Sequence, residues 1–368
     1  MINETVTNKK NTDHSPIEIS PVASSRIQEV DLDNPGFGVN FSDHMAVVRY
    51  EKGQWQRPAI KPFEKMQFSP ALAALHYGQS IFEGMKAFKD SSGTIRMFRP
   101  EHHLNRLNMS CRRMCIPELD VGELFDTLKT LLKLDRDWIP VKRGNALYIR
   151  PLIFGTDNCL GVRPSETYTA LIITSPVGAY YDEGLDPVRL TTDKEYVRSV
   201  RGGTGSAKTA GNYGATLKPA RKAKNNGFTQ VLWLDAIEQK YVEEVGTMNI
   251  FFKFKDRLVT PPAEGTILPG VTRRSVIELA KHWGIPVEKR RIAIDEVFAA
   301  HADGSLEEVF GTGTAAVVSP VGEIVHEGDS LTTDMEKAGP FTQKMYDAIT
   351  GIQYGEREDL FNWMVGVS

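Results

Sequence analysis

Apolar positions along this chain alternate between two spacings, and the changes of spacing outline its elements. In "EHHLNRLNMSCRRMC" apolar side chains fall at 104, 107, 111, 114 and 115, the three-to-four spacing of a helix with one buried stripe. "GELFDTLKTLLKLDRDWI" repeats that spacing at 124, 128, 131, 132 and 138. "ALYIRPLIFG" and "YTALIITSPV" are short β-rich runs, the second almost wholly apolar and so predicted to be a buried strand. "HMAVVRYEKGQW" reads as strand, turn at Gly53, strand. Further on, "VRLTTDKEYVRS" predicts a strand, "ATLKPARKAKNNG" a helix closed by Gly227, and "FTQVLWLD" with "VGTMNIFFKF" a hairpin. "GTILPGVTRRSVIELAKHWGI" predicts a strand ending at Pro269-Gly270, a cap at Thr272 and a helix with Val276, Ile277, Leu279, Ala280 and Trp283 on one stripe. "LEEVFGTGTAAVVSPVGEIV" is strand, glycine turn, strand.

Strands joined by hairpins alternate with isolated helices, so the predicted fold class is α+β. A chain of 368 residues exceeds one ordinary core, and two domains are expected. Residues 1–35 are polar and broken by Pro16, Pro21 and Pro35, the pattern of a flexible tail. A smaller α+β domain is expected over 36–178 and a larger one over 191–368, joined by the Gly-, Asp- and Pro-rich loop 179–190.

Composition narrows the function. A net charge of −3 offers nucleic acid and anionic membranes no electrostatic reason to bind. No apolar run approaches the ~18 residues of a membrane span, and the first twenty residues lack the apolar core of a secretion signal. Cys111, Cys115 and Cys159 form neither a disulfide framework nor a zinc set. The first two share a helix face with Leu104, Leu107 and Met114 and read as core residues. The eight histidines show no ligand spacing. The expectation is a cytoplasmic, metal-free protein.

"RGGTGSAKTAGNYG" places Lys208 among glycines. Gly202, Lys208 and Thr209 sit at the offsets of a phosphate-cradling nucleotide loop, with Ala207 in place of its second glycine, and Asp235 after "QVLWL" resembles a magnesium acid. That loop needs a buried parallel strand before it and a helix starting at the lysine. "DKEYVRSVRGG" is alternating and charged, and the glycines and asparagine of "TAGNYG" oppose a helical start. The alternative is a lysine that bonds covalently to an aldehyde cofactor, with small neighbours leaving room for a flat ring. Pyridoxal 5′-phosphate would need a carboxylate, a donor to its phenolic oxygen and a phosphate site at a helix start. Glu243 or Glu244, Tyr213, and the stretch Gly270, Val271 and Thr272 supply those residue types.

"LHYGQSIFEGMKAF", "FRPEHHLNRL", "LYIRP", "GGTGSAKTAGNYG", "EVGTMNIFF", "LPGVTR" and "FGTGTA" together resemble the branched-chain amino acid aminotransferases, fold-type IV pyridoxal-phosphate enzymes with the D-amino acid aminotransferase-like fold. The resemblance spans roughly residues 37 to 355. It implies two α+β domains with the cofactor at their junction, a homodimer in which some pocket residues cross over, and ping-pong transamination between leucine, isoleucine or valine and 2-oxoglutarate. It makes Lys208 the Schiff-base lysine, selects Glu244 as partner of the pyridine nitrogen, and gives Tyr213 the phenolic oxygen. Arg106, Val271, Thr272 and Thr314 become the phosphate site. The helical wheel by itself places Arg106 opposite the apolar stripe, in solvent. The resemblance further implies a substrate pocket of Phe37, Tyr77, Phe82, Tyr148, Val162 and Tyr180. Arg150 would meet the distal carboxylate of glutamate, and Thr247 and Ala315 the α-carboxylate. Some relatives carry Cys-x-x-Cys where Ala316 and Ser319 stand here, so thiol control at that place is not expected. D-amino acid aminotransferase and aminodeoxychorismate lyase share the fold, but "FEGMKAF", "EVGTMN" and the length favour the branched-chain group.

Overall fold

A computed structural model describes residues 17–178 and 185–367. Nine strands of the N-terminal half and one from the C-terminal end assemble into a ten-stranded sheet. Its path runs Glu18–Ile19, Ala59–Pro62, His44–Glu51, Tyr168–Val177, Ala146–Gly155, Met85–Lys89, Ile95–Phe98 and Met364–Gly366. Gln54–Trp55 pairs on His44–Glu51, and Ser80–Phe82 on Ala146–Gly155. "ALYIRPLIFG" and "YTALIITSPV" are the two long central strands, antiparallel from Ala146 opposite Val177 to Gly155 opposite Tyr168. The helices Pro100–Arg113 and Val121–Leu134 share one core with this sheet, joining Leu104, Leu107, Leu128 and Leu131 to Ile81, Met85 and Ile149. Asp120 starts the second helix by accepting the Glu123 N–H at 2.9 Å, which satisfies one of its orphan donors.

The C-terminal half builds a nine-stranded sheet that closes on itself. Val242–Val245 pairs with Gln230–Leu234 on one side and Met248–Phe254 on the other, and the ring returns through Leu306–Gly313, Val317–His326 and Val188–Thr191. Closure removes the exposed edges that an open sheet would present. Inward-facing Leu190, Leu232, Val245, Ile250 and Phe252 share its buried core. On the outside, Phe251 and Phe310 pack against Val276 and Leu279 of the helix Val271–His282 and Met345 and Ile349 of the helix Pro340–Gln353. Phe88, Ala146 and Val177 of the first sheet belong to this same cluster, so one apolar core joins the two sheets.

Several expectations need correction. Residues 17–35 are anchored rather than loose. Glu18–Ile19 pairs with Ala59 and Ile60, and Asp43 accepts Ser25 Oγ at 2.5 Å and the Arg26 N–H at 2.9 Å. Polar residues anchor as well as apolar ones when a buried carboxylate awaits donors, which a hydropathy pattern does not register. The expected hairpin gains a strand, because "VEEV" pairs between its two arms. No strand precedes Gly270, and Thr272 is a residue inside its helix, with Gly270 at the cap position. "VRLTTDKEYVRS" contributes four strand residues, Val188–Thr191. Cys115 is exposed, since its helix stops at Arg113 and Cys115 itself takes a φ of 54°.

Candidate active site

A cavity of about 420 Å³ opens where the two sheets meet. Lys208 enters it on a backbone pinned from the first sheet. The Lys208 N–H donates to Ser110 Oγ at 2.9 Å, its carbonyl accepts the Phe82 N–H at 2.9 Å, and Thr209 Oγ1 donates to the Ser80 carbonyl at 2.7 Å. From the other side Asn212 clamps the loop, giving its amide hydrogens to the carbonyls of Thr204 and Ala207, both at 2.9 Å. Lys208 Nζ donates to Tyr213 Oη at 2.7 Å and lies 4.8 Å from the centre of the Phe82 ring. "TAGNYG" does make one helical turn, Ala210–Gly214, contrary to expectation, and that turn brings Tyr213 beside the lysine. Residues 192–209 contain no strand, so the nucleotide-loop architecture is absent. Asp235 accepts the backbone N–H groups of Ile237, Glu238, Lys240 and Tyr241, the work of a turn aspartate.

Glu243 and Glu244 alternate across their strand, and Glu244 is the one that faces the cavity. Its carboxylate accepts Asn249 Nδ2 at 3.1 Å and lies 2.7 Å from the Arg198 guanidinium. The ion pair is made, yet burial of the whole carboxyl outweighs it and pushes Glu244 up to about 7. Glu243 turns away and accepts Thr266 Oγ1 at 2.6 Å. Beyond Glu244 the helix Val271–His282 begins at the cavity wall with no side-chain cap, leaving the positive end of its dipole and its first N–H groups facing the space. Thr312 Oγ1, also in the wall, is buried with no hydrogen-bond partner among the described residues.

Arg106 is buried, not solvated as its wheel position suggested. The face opposite the apolar stripe carries His103, Arg106 and Ser110, and the second sheet's loops cover it. Glu83, wholly buried, accepts Arg106 Nε at 2.7 Å and NH2 at 2.9 Å, with His103 Nδ1 at 3.1 Å. Burial alone would raise the Glu83 carboxyl, but Arg106 and His103 hold it well below the usual carboxylate range. Arg106 NH1 reaches across to the Pro269 carbonyl at 3.0 Å, next to the helix start.

The opposite end of the cavity is aromatic. Arg150 lies 4.7 Å from the Phe82 ring centre and 5.3 Å from that of Tyr148, and donates to Tyr148 Oη at 3.2 Å. Its Nε is buried without a partner among the described residues. Phe37 packs edge-on to Tyr148 at 5.6 Å. Gly84 makes room for Tyr148: a Cβ there would lie 1.8 Å from Oη. Thr247, Thr314 and Ala315 also line the space. Tyr77 and Val162 do not; both are exposed on this chain's surface. Tyr180 lies outside the described residues.

Among the described residues no group of three or more His, Cys, Asp or Glu could hold a metal, and no helix is long and apolar enough to cross a membrane. The model of the family "Amino-transferase class IV" matches residues 80–324. The chain belongs to the class IV aminotransferases. It is 50% identical over 349 residues to branched-chain-amino-acid aminotransferase 2 of Bacillus subtilis, covering 94% of this chain and 96% of that one. The solved Escherichia coli branched-chain amino acid aminotransferase superposes with a TM-score of 0.71 at 28% identity, covering 87% of this chain and 99% of that one. The branched-chain aminotransferase of the thermophilic archaeon Thermoproteus uzoniensis, solved with norvaline, superposes with a TM-score of 0.72 at 25% identity, covering 88% of this chain and 100% of that one.

In this class IV aminotransferase the wall residue Asn249, and Lys86 behind the wall, escaped sequence reasoning. Asn249 holds Glu244 and also the Leu268 carbonyl at 2.9 Å, and Gly270 must lack a Cβ because one would lie 2.0 Å from Asn249 Oδ1. Lys86, buried, donates to the Ala315 carbonyl at 2.7 Å and so fixes the 313–316 turn. Burial pushes its ammonium down to about 8. A lysine inside the otherwise apolar strand run "MKAFK" was the available signal for it.

The position of Glu244 makes a stability prediction. An acid harder to ionise folded than unfolded costs stability once it ionises. The cost is absent below the ordinary carboxylate range and complete above about pH 7. Cofactor-free protein should therefore lose resistance to urea on this group's account between about pH 4.5 and about pH 7. Glu244→Gln should remove that part of the slope; parallel profiles for the two proteins would contradict the assignment.

Proposed function

We propose that this class IV aminotransferase is a cytoplasmic branched-chain amino acid aminotransferase. It transfers the amino group reversibly between leucine, isoleucine or valine and 2-oxoglutarate, with pyridoxal phosphate held by Lys208. Its two α+β domains are centred on residues 36–178 and 191–368, with Glu18–Ile19 and Met364–Gly366 added to the first sheet and Val188–Thr191 to the second. The observation that carries the reading is one cavity in which Lys208 Nζ, the buried Glu244 and an uncapped helix start converge, facing an aromatic wall with a single arginine.

The residues fit the cofactor. Thr312 Oγ1, without a partner among the described residues, the open helix start and Arg106 suit a phosphate, Tyr213 Oη a phenolic oxygen and Glu244 a ring nitrogen. When bound, pyridoxal phosphate supplies an electron-poor ring that accepts the electron pair left by breaking the Cα–H bond. Lys208 Nζ takes the Cα proton and later returns it, one group acting as base and then acid. Tyr213 keeps that nitrogen aimed. The 313–316 turn, braced by Lys86, receives the α-carboxylate together with Thr247.

The aromatic end must accept an apolar side chain in one half-reaction and a carboxylate in the other. Phe37, Phe82 and Tyr148 bury the first, worth ~1.5 to 3 kcal/mol per side chain. Arg150, with no acidic partner among the described residues and its Nε unpartnered there, pairs with the second. Exposed Leu75, Tyr77, Leu160 and Val162 form an apolar surface knitted together by the Tyr77 hydroxyl on the Leu160 carbonyl. A second copy of the chain covers this surface, and Tyr77 and Val162 line the partner's pocket.

Three outcomes test the reading. Purified protein should show a visible band that borohydride removes, and Lys208→Ala should lose band and turnover together; a variant keeping both would refute the lysine's role. Arg150→Gln should cut kcat/KM for glutamate about thirtyfold or more, the loss of a buried charge pair, while leucine stays within about threefold; equal losses would exclude the arginine as carboxylate partner. Leu160→Asp should halve the mass measured by light scattering, and an unchanged mass would move the dimer interface elsewhere.

A further inference from the structure

Glu244 is gripped by an arginine that the apolar pattern did not single out. Arg198 lies in the irregular stretch between the strand Val188–Thr191 and the Lys208 loop, and its side chain is buried. NH1 stands 2.7 Å from Glu244 Oε2 and donates to the Thr266 carbonyl at 2.8 Å. NH2 donates to the Gly205 carbonyl at 3.4 Å. Those acceptors belong to three separate segments: the strand Val242–Val245, the approach to the helix Val271–His282, and the glycine loop that carries Lys208. The segments touch there. A Cβ on Gly205 would lie 2.2 Å from the Thr266 carbonyl and 2.2 Å from Ser199 Oγ, which itself donates to Thr266 at 2.9 Å.

We propose that Arg198 is a positioning residue whose guanidinium fixes the Lys208 loop, Glu244 and the approach to the phosphate helix relative to one another, and whose charge keeps Glu244 anionic toward the cofactor's ring nitrogen. The inference rests on the functional reading above. The charged groups that face Glu244 are Arg198, Glu243, Lys208 and, from the helix, Arg273. Glu243 opposes ionisation by like charge. Arg273 gives its hydrogen bonds to Thr260 Oγ1 and the Pro261 carbonyl, and Lys208 to Tyr213. Among the described residues Arg198 is therefore the cation in contact with the carboxylate. Without it, a buried carboxyl holds a proton more tightly, and a proton shared between acid and ring nitrogen moves to the acid. The nitrogen then draws electrons less strongly, and Cα proton removal slows.

The test uses holoenzyme loaded with pyridoxal phosphate carrying nitrogen-15 in the ring, with the ring-nitrogen resonance as readout. Arg198→Gln should move the resonance from the protonated toward the unprotonated position at neutral pH. It should also lower kcat at least about tenfold while KM for leucine stays within about threefold. Arg198→Lys, which restores the charge, should keep the protonated signal. A wild-type resonance in Arg198→Gln, or an equal displacement in both variants, overturns the proposal. If Arg198→Gln does not fold, the Arg198→Lys titration decides. An ammonium cannot reproduce the guanidinium's contacts, so the nitrogen should lose its proton at lower pH than in wild type, and an identical midpoint overturns the proposal. A wild-type protein that binds no pyridoxal phosphate would overturn the functional reading and this inference together, whereas loaded wild type with an unmoved variant sinks the inference alone.

Discussion

Positive charge without a carboxylate partner, gathered where the two sheets meet, is the constraint around which this molecule is arranged. Two arginines at the sheet junction have carboxylates of their own, Arg106 with Glu83 and Arg198 with Glu244. Among the described residues the partly buried Lys208 and Arg150 and the buried Lys86 have none. Lys208 rests on a phenol, Arg150 on two aromatic rings and a phenol, and Lys86 on a backbone carbonyl. The open end of the Val271–His282 helix adds a partial positive charge to the same space. Desolvating an unpaired charge costs several kcal/mol, so a fold retains such an arrangement where a ligand brings the anion. The proposed ligands bring several: a phosphate, an α-carboxylate, and in one half-reaction a distal carboxylate.

The sheets hold these charges where backbone can approach backbone. The closed ring of the second sheet turns sharply between Val245 and Met248, and that turn presents Glu244, Thr247 and Asn249 to the cavity together. From the first sheet, Ser80–Phe82 continues past its own edge to bridge Thr209, so the lysine loop is in effect stitched to the opposite sheet. Glu83 follows that strand directly and anchors the Pro100–Arg113 helix through His103 and Arg106, one helical turn apart. One short segment thus sets both the lysine and Arg106. Arg99 repeats the device at the start of that helix, pairing with Glu278 at 2.8 Å and Ser275 at 3.0 Å, which locks the helix to the one whose open end faces the cavity.

What was legible in the sequence follows from what periodicity can carry. The two central strands of the first sheet and both of its long helices were readable because each keeps an unbroken apolar spacing on its core face, whatever its other face carries. Arg106 was misplaced for the opposite reason. Its helix is buried on two faces, and the second face is polar, so the stripe alone suggested solvent. Residues 17–35 failed similarly, being held by the Asp43 carboxylate and a parallel strand pair rather than by an apolar stripe. Motif resemblance supplied Lys208, Tyr213 and Glu244 as a set, and the structure brings those three to one cavity. Neither route named Glu83, Arg198 or Asn249. Their roles are contacts with other polar residues distant in sequence, and a single chain read along its length records no such pairing.

The weakness of the contacts around Arg150 suits the two-substrate problem better than a strong pair would. A permanent carboxylate partner would neutralise the guanidinium and leave nothing for glutamate to gain. Aromatic faces offer about 0.5 to 2 kcal/mol each, enough to offset part of the desolvation cost but less than a buried carboxylate pair provides. On the proposed reading, a leucine side chain buried against Phe37, Phe82 and Tyr148 contributes a comparable amount, and the arginine keeps its aromatic seat. When a distal carboxylate enters, the unpartnered Nε and the amino nitrogen on Tyr148 can turn to it without breaking an ion pair first. Gly84 sustains this balance, because a side chain there would occupy the place of the Tyr148 hydroxyl and remove the hydrogen bond through which it orients the guanidinium.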